Sequence, residues 1–211
     1  MKKRPKFPHP PLDIDPGIVS GDHSALVVAR RAFTSLHTGW KVLAEASERV
    51  QDGDKLSREA KAHTDKMVRL LRADTELMWG AYRHLRQKID AAISPNERDP
   101  IAAELRAWLR SQSDPFTAAL KGIKSADKRY VSAILGAPSA LSGLDDDKLE
   151  LLRDHAARLF EFEDHEAMET IDKLARKHGE YVERFEKQAR QHIKSWETGD
   201  DAAIEELFRA N

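Results

Sequence analysis

Residues 24–60 read SALVVARRAFTSLHTGWKVLAEASERVQDGDKLSREA, and this stretch decides the fold class. No proline interrupts Ser24 to Val50, and apolar residues recur at helical spacing: Val28, Ala32, Leu36, Trp40, Leu43 and Ala46. Asp22 or Ser24 is expected to cap the start. QDGD then reads as a tight turn around Gly53, with Asp54 placed to cap a second helix. That second segment carries Leu56, Ala60, His63, Met67, Leu70, Leu77 and Ala81 on one stripe. Another stripe holds Leu71, Met78, Tyr82, Leu85 and Ile89, and the helix is expected to end near Ile93, ahead of Pro95. So short a connection leaves two long helices little choice but an antiparallel hairpin.

Composition extends that reading to the whole chain. There are 28 Ala and 21 Leu against 8 Val and 10 Ile, which favours helix over strand throughout. The expected fold is therefore all-α: an elongated helical bundle built on the hairpin plus a very long C-terminal helix. Four segments make up one domain: a Pro-rich arm (1–21), the hairpin (22–94), a short-helix insert (95–144), and a C-terminal part (145–211) with one last short helix at 200–209.

Five of the nine prolines lie at Pro5, Pro8, Pro10, Pro11 and Pro16. Proline fixes φ and lacks a donor, so the arm should be extended and polyproline-like. Phe7, Leu12, Ile14 and Ile18 are regularly spaced within it. A freely solvated tail has no use for them, so the arm is expected to lie along a partner or along the body. In the insert, helices are expected at about 100–112, 115–122 and 126–136. Asp99 and Asp114 stand as caps ahead of Pro100 and Pro115.

Residues 132–147, SAILGAPSALSGLDDD, then read as a corner. Gly136 and Pro138 end one helix, and Asp145 caps the next. Leu144 and Leu149 have the spacing of a hydrophobic staple, and Asp146 and Asp147 suit the first turn. Ala137, Pro138, Leu141, Ser142, Gly143 and Leu144 also resemble a turn in uncharacterised helical proteins of phage and prophage origin. There an Ala/Leu-Pro-x-x-Leu-Ser-Gly-Leu pattern precedes an acidic helix start. The likeness covers about a dozen residues and brings no activity with it.

From Asp146 to Trp196 there is no proline; a continuous helix there would run roughly 75 Å. A kink between Glu161 and Glu166, or at Gly179, would shorten it. Its charge is divided: 11 acids and 3 bases from Asp145 to Asp172, then 7 bases and 3 acids from Lys173 to Lys194.

Several chemistries lack their residues. No cysteine is present, which excludes disulfides and thiolate catalysis. A formal charge of -1 gives no global pull toward nucleic acid. Apolar runs fall short of the ~18 residues of a membrane span. MKKRPKF is basic but no apolar stretch comes after it, so a signal peptide is not expected and the cytoplasm is the default. No Gly-x-Ser-x-Gly elbow and no Gly-rich phosphate loop occurs. EFEDHEAMETIDK (161–173) is rich in metal ligands, with Glu161 and Glu169 each four residues from His165. Yet no histidine has a glutamate three positions before it, as a di-iron bundle requires. His63, His178 and His192 sit on or near apolar stripes and read as core or boundary histidines.

The leading expectation is a non-enzymatic protein–protein interaction module: an adaptor, scaffold or inhibitor. It would bind another protein through Phe7, Leu12, Ile14 and Ile18, or a second copy of itself through the long helix with its acidic and basic halves. No catalytic residue, cofactor or metal ligand is assigned, and no membrane contact is expected. One alternative is nucleic-acid association through Lys2, Lys3, Arg4, Lys6, Arg69, Arg72, Arg83 and Arg86. Another is a metal-dependent enzyme built around His165.

Overall fold

Asp114, Asp127 and Asp145 each accept a hydrogen bond from a backbone N–H of the helix they precede, at 3.1, 2.9 and 2.7 Å. These caps start three of the seven α-helices in the computed structural model, which describes residues 5–50, 53–93, 100–125 and 127–198. The helices are α1 (Leu26–Arg49), α2 (Gly53–Ile93), α3 (Pro100–Ser111), α4 (Pro115–Lys124), α5 (Lys128–Leu135), α6 (Asp146–Phe160) and α7 (Phe162–Thr198). No strand occurs among the described residues. The all-α fold with a hairpin and a long C-terminal helix is thus observed. Asp99 and residues 200–209 lie outside the described residues.

Contacts group the chain into two compact units. The first joins residues up to Ala81 with those from Ile171 onward. Here α7 runs antiparallel to α2. Ser57 bonds Glu197 at 2.9 Å, Arg190 pairs with Asp65 at 3.3 Å, and Arg72 with Glu186 at 2.7 Å. As one number rises the other falls. The core between them and α1 holds Phe33, Leu36, Trp40, Leu71, Met78 and Phe185.

The arm closes this unit. Trp40 Nε1 donates to the Pro8 carbonyl and Trp196 Nε1 to the Pro5 carbonyl, both at 3.0 Å. The Phe7 N–H donates to Ser47 Oγ at 2.9 Å, and its ring lies 5.2 Å from that of His192. The arm is not extended throughout. Pro11 keeps polyproline-like angles, but Leu12–Ile14 and Pro16–Ile18 form 3-10 turns. Asp15 Oδ1 accepts from the Gly17 N–H at 2.7 Å, and Pro16 at the first position favours the second turn. The start of α1 also differs from expectation. Neither Asp22 nor Ser24 caps it; the Ala25 N–H donates to His23 Nδ1 at 3.2 Å. Asp54 lies inside the first turn of α2.

The second unit covers Tyr82–Thr170. Ile89, Leu109, Ile123, Ile134, Leu149 and Leu152 share one buried cluster. Leu144 and Leu149 are both in it, as a staple requires. Gly143 takes φ 71°, the left-handed region, and so ends the turn at Ser139–Ser142 where a side chain would be strained. α4 and α5 pack closely at Gly122: a Cβ there would lie 1.8 Å from Tyr130 Cε1. The long C-terminal run breaks once, at Glu161 (φ −133°, ψ 48°), between α6 and α7. Gly179 leaves α7 unbroken.

Candidate functional site

The break at Glu161 brings ionisable groups of α6 and α7 together in the second unit. His165 is 3% exposed on the first turn of α7. Its Nε2 lies 2.7 Å from Oδ1 of Asp154 on α6. Glu169, one turn beyond His165, completes a set of three donor atoms all within 4.8 Å of one another. Arg158 spans the two carboxylates, with Nε 3.2 Å from Asp154 and a terminal nitrogen 3.0 Å from Glu169. A cleft of about 180 Å³ opens beside the cluster, lined in part by Tyr82, Arg86, Arg153, Asp154, His165 and Met168. Its rim is charged and internally paired: Arg86 reaches Glu150 at 3.2 Å, and Arg153 reaches Glu150 at 3.0 Å. A hydrogen bond with Tyr82 is the main reason the Arg86 pKa is raised.

Sequence reading found His165 and Glu169 but paired them with Glu161. Glu161 instead sits at the break, and Asp154 takes the place beside His165. The ligand-rich run pointed to the site; only the bend identifies its third member. Nearby, Asp164 is buried with an ion pair to Lys88 at 2.6 Å, and that hydrogen bond raises the lysine pKa.

His178, His192 and His63 belong to the first unit. His178 Nε2 faces the Ala32 carbonyl at 3.2 Å and Nδ1 faces Thr75 Oγ1 at 2.8 Å. A neutral ring with Nε2 protonated satisfies both contacts, and burial lowers its pKa. His192 Nδ1 has no hydrogen-bond partner among the described residues, and burial lowers its pKa to about 4. His63, near the Gly39 carbonyl, is also lowered by burial.

The expected partner-binding residues of the arm separate. Phe7 and Ile14 are buried in this chain's own core, at 2% and 0% exposure. Ile18 is half-buried, and Leu12 is fully in solvent. Val19, not singled out from the sequence, is buried as well.

The expected nucleic-acid residues are exposed but mostly engaged. Lys6 pairs with Glu48, Arg72 with Glu186, and Arg86 with Glu150. Arg69 donates to the Asp65 carbonyl, and Arg83 is exposed. Lys2, Lys3 and Arg4 lie outside the described residues.

Leu70 and Leu77, on one of the two apolar stripes of α2, face solvent at 43% and 55% exposure. Leu56 and Ala60 of the same stripe are buried, whereas from Leu70 onward it is the stripe through Leu71 and Met78, both 0% exposed, that packs. Ala73 is exposed between the two leucines, and a Cβ built on Gly80 would meet nothing within 4 Å.

Among the described residues no helix is long and apolar enough to cross a membrane. Comparison with known proteins finds no matching family model, no matching curated relative and no matching solved structure.

Proposed function

We propose that this chain is a helical interaction module that works by binding, with the solvent-facing side of α2 as its docking face. The observation that carries this reading is the pair Leu70 and Leu77, both exposed and seven residues apart. Two leucines one heptad apart, with small Ala73 between them, have the spacing of a helix–helix seam. Large apolar side chains at such spacing favour a helical partner over a small ligand.

The occupant that fits is the same face of a second copy. Reversing one helix about the midpoint of Leu70 and Leu77 sets each leucine against the other's counterpart. The same operation brings exposed Arg69 beside exposed Glu76 of the second copy. Charge complementarity and a two-fold axis thus agree, as an isologous interface demands.

Light scattering on a sizing column, run over a range of concentrations, tests this. Wild type should elute as a dimer at high concentration. Leu70→Glu with Leu77→Glu should be monomeric with unchanged helicity. Arg69→Glu should weaken the dimer, and Arg69→Glu with Glu76→Arg should restore it. A wild-type monomer at every concentration ends the self-docking reading.

A further inference from the structure

We infer that Asp154, His165 and Glu169 form a binding site for a divalent transition-metal ion of the zinc type, with Arg158 as the group the ion displaces. The site belongs to the unit Tyr82–Thr170 and stands apart from the docking reading.

The donor set comes first. One imidazole nitrogen and two carboxylate oxygens suit borderline ions such as zinc and cobalt. The three atoms already lie within 4.8 Å of one another. Ligands on one tetrahedral ion, with bonds of about 2.1 Å, sit about 3.4 Å apart. Rotation of the two half-exposed carboxylates, freed from Arg158, would have to close that gap. His165 Nε2 is held at Asp154 by burial of the ring, and His165 and Glu169 share one face of α7.

Access comes second. The cleft of about 180 Å³ reaches both Asp154 and His165. Three protein ligands leave a coordination position open, and the cleft supplies room for a water or a small anion there.

Arg158 supplies the third argument. A cation already lies between the two carboxylates, so the site is built to hold positive charge. Its side chain is 55% exposed, so it can release both carboxylates and turn to solvent. Arginine and metal therefore exclude each other. A structural ion-pair clasp and a metal site then predict opposite results when the arginine is removed.

Cobalt(II) alone is the probe, with uptake read by equilibrium dialysis and by visible d–d absorption. Wild type should take up one equivalent with the absorption of a low-coordinate site. Arg158→Gln should bind more tightly than wild type. Asp154→Asn and Glu169→Gln, both on half-exposed side chains, should weaken binding by more than the roughly 10–100-fold typical of losing an outer-shell partner. His165→Asn should do the same, with circular dichroism confirming its fold. No uptake by either wild type or Arg158→Gln overturns the assignment. So does uptake that survives Asp154→Asn combined with Glu169→Gln, or weaker binding by Arg158→Gln than by wild type.

Discussion

Asp154 and His165 lie 2.7 Å apart although eleven residues separate them. In an unbroken helix that separation would be about 16 Å. Arg158 and Glu169 repeat the relationship, eleven residues apart and 3.0 Å in space. Both contacts exist because the backbone leaves helical angles at Glu161. The arginine pairs are half exposed, so Arg158→Ala should cost less than about 1 kcal/mol. His165→Ala removes a buried ring and should cost about 2–3 kcal/mol. Urea unfolding of both variants checks the ranking; a larger loss for Arg158→Ala reverses it.

The arm is part of the folded core. Phe7→Ala should cost about 3 kcal/mol, because the ring is buried against Trp40, Phe185 and His192. Lys6→Ala, one residue away, should change little, since its ion pair with Glu48 is exposed. Thermal melts of the two variants give the comparison. Equal midpoints would contradict the burial of Phe7.

Acid should loosen the same region. His192 titrates at about 4 in the folded chain, below its ordinary value of 6.5. A depressed histidine pKa means that the unfolded chain binds the proton more readily. Its stabilising share is complete above pH 6.5 and is lost as pH falls through about 4. That share reaches up to about 3 kcal/mol. Burial shifts His178 and His63 the same way, so they add to the slope. His192→Leu should flatten stability against pH between 6.5 and 4, read from denaturant midpoints. An unchanged slope removes His192 from the account.

Gly122→Ala should destabilise the second unit by about 1–3 kcal/mol, because the new methyl enters the Tyr130 ring. Truncating the ring with Tyr130→Ala should make the added methyl nearly neutral, so the double variant will be less than additive. Strict additivity in chemical denaturation contradicts the contact.

Helix positions were legible in the sequence because caps, prolines and glycines act locally. Asp114, Asp145 and Pro115 do the same work in the fold that their spacing implies. The choice between the two stripes of α2 was not legible. Leu70 and Leu71 are equally apolar, and only the partner helices decide which one is covered. Asp154 was missed for a related reason. Its closeness to His165 depends on the bend, and helical spacing counts only residues three or four apart. The two tryptophans that hold the arm gave a weak signal: a buried indole N–H needs an acceptor, and proline-rich backbone offers carbonyls. Nothing in the spacing says which carbonyls.

The hydrogen bond from Trp196 to Pro5 sets an order of assembly. The unit Tyr82–Thr170 is one continuous stretch of chain, so it can form while synthesis continues. The other unit needs residues from Ile171 onward; the Pro8 carbonyl can meet Trp40 early, but the Pro5 carbonyl has no indole donor until Trp196 has emerged. The middle of the chain is therefore expected to become native before its beginning does. Stalling synthesis just short of Trp196 should leave Phe7 open to proteolysis while Leu109 and Leu152 are already protected.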